Sequence, residues 1–172
     1  DKGGPTKFGI ALNFNKDTLK DLGITDANGV EEMTREQAIE VYRKDYWDES
    51  KAEKLPESAR FDYFTAYINS PRRAIKALQT AAGTIADGAI GPNTLKAIQA
   101  AAKDTSFGNK MKFEYVRSLA TDSSSWTSFA NGWSNRYLET DKFGKRKGKT
   151  DLTKLSRADA LKELEDEFKN KS

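Results

Sequence analysis

The 172-residue chain contains no cysteine and no histidine. Without cysteine there is no disulfide framework, no thiol nucleophile and no thiolate ligand for a metal. Without histidine the Ser-His-Asp and Cys-His mechanisms are closed, as is the usual histidine-bearing zinc site. Proline is sparse, at four residues, and no apolar run approaches the roughly 20 residues of a membrane-spanning helix. A soluble protein without membrane insertion is therefore expected. There is no basic-then-apolar leader, and the first residue is Asp1 rather than Met, so an N-terminal segment is expected to have been removed. Neither sign of charge dominates. The 29 Lys and Arg against 26 Asp and Glu leave a formal +3, compatible with an anionic polymer but not demanding one. If the chain is an enzyme, carboxylates are its expected proton carriers.

What is present begins at the first residue. Asp1-Lys2-Gly3-Gly4-Pro5-Thr6-Lys7-Phe8-Gly9-Ile10 sets a carboxylate five residues before a threonine, across a Gly-Gly-Pro turn that leads into an alternating apolar run. In a glycan-cleaving site, one carboxylate and one hydroxyl together hold a water against a sugar ring, and a second carboxyl serves as general acid. Gly3 and Gly4 most simply permit a tight turn with positive φ. The stretch is not a phosphate cradle, because no Lys-Ser/Thr ends a P-loop and no helix follows.

The alternation of Phe8, Ile10, Leu12 and Phe14 predicts one short strand. Nearly everything beyond it reads as helix. Thr34 with Gln37 forms a capping box, opening a helix with Ala38, Val41, Tyr42 and Tyr46 at helical spacing. Pro56 suits a first helical turn leading through Phe61, Phe64 and Ile68. Ser70-Pro71 opens a helix that carries Ala74, Ile75, Leu78 and Ala82 and stops at Gly83. Asp87-Gly88 marks a turn, and Pro92 starts a helix with Leu95, Ile98 and Ala102 inside. Met111, Tyr115 and Leu119 predict another, and Trp126, Phe129, Trp133 and Tyr137 a further one. Residues 139–155 are polar and basic, with Lys142, Lys145, Arg146, Lys147 and Lys149, and read as a loop. Ser156 caps a last amphipathic helix with Ala160, Leu161, Leu164 and Phe168. The expected fold class is mainly α, a helical bundle with a small β element near the N-terminus.

These stretches resemble a known family. The opening decapeptide is similar to the start of the glycoside hydrolase family 108 N-acetylmuramidases, lysozyme-like endolysins and secretion activator proteins. Val41-Tyr42-Arg43-Lys44-Asp45-Tyr46-Trp47 resembles the family's helix ending in Tyr-Trp, and the segment Phe61 to Pro71 its central helix and turn. Ala74-Ile75-Lys76-Ala77-Leu78-Gln79 with the segment Asp87 to Leu95 resembles the peptidoglycan-binding half. Phe129-Ala130-Asn131-Gly132-Trp133-Ser134-Asn135-Arg136 is similar to its closing Gly-Trp-x-x-Arg signature. The resemblance covers roughly four-fifths of the chain, and five stretches in the right order carry it.

The resemblance implies an α+β lysozyme-like domain over residues 1–172. Within it, 1–50 is the catalytic portion, 51–138 the helical peptidoglycan-binding portion, and 139–172 the basic loop and C-terminal helix. It implies a peptidoglycan hydrolase that cuts glycan strands between N-acetylmuramic acid and N-acetylglucosamine, with an inverting mechanism favoured. Asp1 and Thr6 are the catalytic candidates, positioning water. The general acid is expected to be a Glu in a Glu-Gly-Gly-Tyr-like segment about nine residues before Asp1, a segment absent from this chain. Glu31, Glu32, Glu36 and Glu57 read as surface charges rather than substitutes for it. Asn69, Gln79, Asp62, Tyr63 and Tyr67 are the substrate-binding candidates. Asn69 could equally end a helix before Pro71, Gln79 and Asp62 could make internal bonds, and aromatics at helical spacing, Tyr46 and Trp47 among them, more often pack in a core. Trp133 and Arg136 are expected to tie down the last core helix.

The expected partner is peptidoglycan, acted on at the cell wall in the periplasm or outside the cell. No metal or organic cofactor and no nucleic acid are expected, and the chain is expected to be a monomer. The alternative function is a non-catalytic peptidoglycan-binding or secretion-assisting protein of the same fold. A nucleic-acid-binding role for the Lys142–Lys149 loop is remote, since Phe143 alone is interleaved there for stacking.

Overall fold

The computed structural model describes residues 2–121 and 155–169. The fold is mainly α with one small β element near the N-terminus, as the sequence leads one to expect. The chain divides into two compact units, Asp1–Glu53 and Lys54–Ser172.

The first unit opens on a two-stranded antiparallel sheet of β1 (Thr6–Lys7) and β2 (Ile10–Ala11), with Thr6 opposite Ala11 and Lys7 opposite Ile10. The single strand expected across Phe8–Phe14 is thus replaced by a reversal at Phe8 and Gly9. Both have positive φ, 53° and 78°, the two-residue turn whose twist matches that of its flanking strands. Gly9 is needed for space as well: a Cβ there would stand 2.8 Å from the Tyr42 hydroxyl, which donates to the Phe8 carbonyl at 2.9 Å. Ile10 is buried, whereas Phe8 and Phe14 are 48% and 70% exposed.

Two short helices follow, α1 (Lys16–Asp21) and α2 (Ala27–Glu32). The Asp26 carboxylate caps α2, accepting from the Gly29 N–H at 2.9 Å. α3 (Arg35–Tyr42) begins at the expected capping box: Thr34 Oγ1 accepts from the Gln37 N–H at 3.2 Å, and Gln37 Oε1 from the Thr34 N–H at 2.9 Å. The helix expected to run on through Tyr46 instead widens into a π-helical turn, Arg43–Asp48. There the Asp45 carboxylate accepts from the Asn15 amide at 2.7 Å and from the Thr18 hydroxyl, tying the turn to α1. Ile10, Leu19, Ile24, Val30, Met33 and Val41 make the core of this unit.

The second unit is built from α4 (Glu57–Asn69), α5 (Pro71–Ala81), α6 (Pro92–Ala101), α7 (Phe107–Thr121) and α8 (Arg157–Lys169). Pro71 and Pro92 open α5 and α6, where the missing N–H has no helical partner to lose. Pro56 stands just outside α4. α5 ends as expected at Gly83, whose N–H reaches the Thr80 carbonyl at 3.0 Å while the Thr84 N–H reaches that of Gln79 at 3.0 Å, the paired bonds of a Schellman stop. α7 packs on α4, α5 and α8. Met111, Tyr115 and Leu119 are buried there as predicted, with Tyr63, Leu78, Phe107 and Leu164. α4 turns a different face inward from the one its aromatics suggest: Ala59, Tyr63 and Ala66 are buried and Phe61 is 79% exposed. Small residues let the helices approach closely, which a larger Phe stripe does not. At α7's second residue, Gly108, a Cβ would lie 2.5 Å from the Ser58 carbonyl oxygen of α4. The helix expected from Trp126 to Tyr137 and the basic stretch Lys142–Lys149 lie outside the described residues. No helix among the described residues is long and apolar enough to cross a membrane.

One buried amide organises the connection between α5 and α6. Gln79 is fully buried. Its Nε2 faces Asp87 Oδ1 at 2.7 Å, the Ala89 carbonyl at 3.0 Å and Thr94 Oγ1 at 3.3 Å, and its Oε1 accepts from the Gly88 N–H at 2.9 Å. Asp87 also accepts from the Ala89 N–H at 2.9 Å. Donation from Gln79, and next from Ala89, holds the Asp87 carboxyl below its ordinary value.

Two outcomes follow for stability. Gly108→Ala gains about 1 kcal/mol of helix propensity, but a methyl forced against the Ser58 carbonyl costs about 1–3 kcal/mol. Urea unfolding should therefore show the variant net destabilised, and a stabilised variant would contradict the close α4–α7 approach. Asp87 has a depressed folded pKa, so its contribution is complete above the unfolded carboxylate value of about 4 and is lost as pH falls through the folded value below it. Unfolding midpoints at pH 6 and pH 3 should fall further for the wild type than for Asp87→Asn. Equal falls would remove Asp87 as a source of acid sensitivity.

Candidate functional site

Asp1, the carboxylate expected to handle water, lies outside the described residues. The turn that follows it is held by Asn13, a residue that no sequence pattern singles out. Asn13 gives its N–H to the Gly3 carbonyl at 3.1 Å and its side-chain Nδ2 to the Lys2 carbonyl at 3.1 Å. The Leu12 N–H adds a bond to the Pro5 carbonyl at 3.0 Å. Gly4, at φ 67°, sits where a Cβ would be 3.0 Å from Asn13 Nδ2. An Asn after an alternating apolar run gives no pattern that marks such a clamp. Its partners are backbone carbonyls, which carry no sequence signature.

Thr6 begins β1, exposed, and its Oγ1 donates to the Gly4 carbonyl at 3.0 Å. That bond commits the hydroxyl proton and leaves the oxygen's lone pairs to accept from a water or a sugar hydroxyl. Lys7, next along, donates its ammonium to the Glu31 carbonyl near the end of α2, where cations suit the helix terminus. Tyr42, expected only as a helix-face residue, anchors the far end of the hairpin through Phe8. Burial, and next the neighbouring Tyr46, raises its hydroxyl pKa.

Beside the hairpin, a cavity of about 530 Å³ is lined by Asn13, Phe14, Asn15, Asp45, Tyr46 and neighbouring residues. Asn15 Nδ2 bridges Asp45 at 2.7 Å and the Tyr46 hydroxyl at 3.3 Å. The rings of Tyr42 and Tyr46 stand 5.5 Å apart, tilted by 40°. Tyr46 and Trp47 are half-buried, as befits aromatics that pack on one side only.

The five substrate-binding candidates all belong to the second unit. Asp62, Tyr63, Tyr67 and Asn69 share α4, and Gln79 lies on α5. Asp62 is half-buried and paired with Lys112 of α7 at 3.2 Å. Asn69 is half-buried and donates to the Thr65 carbonyl one turn back at 2.7 Å. Tyr67 is half-buried, its ring 5.8 Å from that of Tyr63. Tyr63 and Gln79 are placed inside the unit rather than on its surface: each is fully buried, and the Gln79 amide is bonded at both ends. Burial, and next Tyr67, raises the Tyr63 pKa strongly, so it stays a neutral phenol.

A carboxyl becomes a general acid near neutral pH when apolar burial raises its pKa. Glu31, Glu32, Glu36 and Glu57 are all exposed and lack that environment. Among the described residues no group of three or more acidic side chains could hold a metal ion.

Residues 1–70 match the family of glycosyl hydrolase 108, and residues 73–138 match the family described as a predicted peptidoglycan domain. The junction between the two falls at the Ser70–Pro71 break between α4 and α5. Among solved structures, that of Brucella abortus SagA is similar, with 28% identity over 81% of this chain and 78% of that one and a TM-score of 0.60. No curated protein matches the chain. A function concerned with peptidoglycan at the cell wall follows from the two families. Residues 1–70 are thus assigned to the glycosyl hydrolase 108 family, and residues 73–138 to a predicted peptidoglycan domain.

Proposed function

We propose that the protein is a muramidase that hydrolyses the bond between N-acetylmuramic acid and N-acetylglucosamine in peptidoglycan, by single displacement with inversion. The observation that supports it most is the pinned turn after Asp1, within the hydrolase match. Asn13 binds the carbonyls of Lys2 and Gly3, and Thr6 bonds back to Gly4. This framework holds the backbone from Lys2 to Thr6 and orients the Thr6 hydroxyl, and a residue that positions a catalytic water needs such restriction.

In this mechanism the Asp1 carboxylate takes a proton from a water held against the anomeric carbon, and Thr6 Oγ1 accepts the water's other hydrogen. A carboxylic acid on the opposite face of the sugar protonates the leaving oxygen, ~6.5–9.5 Å from the base so that the water fits between them. By family resemblance that acid is a Glu upstream of Asp1. Asp62, Tyr67 and Asn69 are proposed to contact the glycan from α4. Tyr63 and Gln79, fully buried, set the helices behind them. The chemistry needs no cofactor. The protein acts as a monomer in the periplasm or outside the cell.

The test is release of new reducing ends from purified cell walls by the full-length protein, with the anomeric configuration of the product followed by NMR. Asp1→Asn should lower the rate by roughly 10²–10⁴-fold, the range for a general base. Thr6→Ala should lower it by about tenfold, the worth of one hydrogen bond to the water. Equal cleavage by Asp1→Asn would sink Asp1 as the base. Wall binding without cleavage by the wild type would make the protein a peptidoglycan-binding one.

A further inference from the structure

Within the second unit, a groove of about 600 Å³ runs between α5 and α7, in the size range of small-ligand sites. Arg72, Arg73 and Lys76 line it from α5 and Arg117 from α7. A single carboxylate, Glu114, lines it among the described residues, and it is paired with Arg117 at 2.5 Å. Arg73 crosses the groove to the Ser118 carbonyl at 2.6 Å, joining the two helices. The cations of this groove outnumber its carboxylate by three. The groove therefore carries a net positive charge among its described residues.

The groove's hydroxyls add a second constraint. Thr80 donates to the Lys76 carbonyl at 2.9 Å, Ser118 to that of Tyr115 at 2.7 Å, and Thr121 to that of Arg117 at 3.0 Å. With their protons committed to their own helices, these oxygens present acceptor lone pairs. The wall of the groove thus combines cationic donors with neutral acceptors. A phosphodiester polymer satisfies the cations but brings no backbone N–H for the hydroxyls. A neutral sugar brings hydroxyls but no charge. An acidic peptide brings both carboxylates and N–H groups.

Gly88 connects this groove to the buried Gln79 amide. A Cβ at Gly88 would lie 3.2 Å from Arg72 Cγ and 3.6 Å from Lys76 Cε, so the bare turn gives room for both cationic stems. Lys76 also lies within electrostatic reach of Asp87. The turn that Gln79 holds is thus the surface on which two of the groove's cations rest.

We propose that the α5–α7 groove binds the acidic stem peptide of peptidoglycan, with its carboxylates against Arg72 and Lys76 and its amide N–H groups on Thr80 and Ser118. The proposal rests on the cell-wall reading above and assigns the second unit a ligand distinct from the glycan strand. All the described lining residues except Ser70 and Arg72 fall within the match to the predicted peptidoglycan domain.

Calorimetric binding to the full-length protein tests it, with three probes: a disaccharide bearing its stem peptide, the same disaccharide without peptide, and a phosphodiester oligomer of equal charge. Arg72→Gln/Lys76→Gln keeps most of each stem and removes the charge, and a thermal scan checks that it folds. The peptide-bearing probe should bind best, and the double variant should weaken it by about tenfold or more, the scale of one lost charge-assisted contact. Binding should also fall with added salt. Equal binding of the two disaccharides, preference for the phosphodiester, or unchanged affinity in the folded double variant would each overturn the proposal. Cleavage is measured separately. Peptide binding by a protein that cuts no wall would fail the muramidase reading alone, and wall cleavage without peptide-dependent binding would fail this one alone.

Discussion

A single buried amide sets much of the second unit. Gln79 projects from α5 into the fully buried interior, where any unpaired polar atom costs about 1–3 kcal/mol. It meets that demand by binding the Asp87–Gly88 turn, the Ala89 carbonyl and Thr94 at the start of α6. α5, the turn and α6 are thereby locked in one arrangement. The same turn carries the glycine that accommodates the stems of Arg72 and Lys76, so a bond in the interior governs a charged surface outside it. This is the use of a fully satisfied buried polar group: it specifies one geometry out of several that apolar packing alone would permit.

The first unit solves a comparable problem with less material. It has a two-stranded sheet of two residues per strand, which is marginal alone. The hairpin is therefore tied from outside its own ladder, by Asn13 to the turn before it, by Tyr42 to its tip and by Lys7 to the end of α2. Each tie ends on a backbone carbonyl. The segment from Lys2 to Pro5 is restrained through main-chain positions, which leaves its side chains out of the ties. With neither histidine nor cysteine in the chain, carboxylates are the expected proton carriers for the proposed hydrolysis, and their role as acid or base is decided by environment.

How much could be read beforehand depends on the range of the interaction involved. The capping box at Thr34 and Gln37, the proline starts at Pro71 and Pro92, the Gly83 stop and the buried stripe of Met111, Tyr115 and Leu119 are all local, set within one or two turns of helix. Each was legible. The hairpin was not: Phe8, Ile10, Leu12 and Phe14 alternate as a strand does, yet the reversal at Phe8 and Gly9 depends on Tyr42, over 30 residues away. The inward face of α4 escaped for a similar reason. Phe61 is the more hydrophobic choice, but α7 approaches so closely at Gly108 that the turn with Ser58 and Ala59 meets it instead. Among the candidate site residues, Tyr63 and Gln79 show the same ambiguity. An aromatic or an amide on a helix looks alike in sequence whether it faces sugar or core.

The sequence by itself determined the helical class, the local starts and stops, the exclusion of thiol and imidazole chemistry, and the family to which the motifs belong. These rest on composition and on interactions among near neighbours, which a linear string records directly. The tertiary structure alone decided which face of each helix is buried, that Asn13 clamps the opening turn, that Gln79 is an interior bond, and that four cations from α5 and α7 share one groove. Those facts depend on residues brought together across tens of positions by close packing and by the cost of leaving buried polar atoms unpaired, and no spacing rule along the chain encodes them.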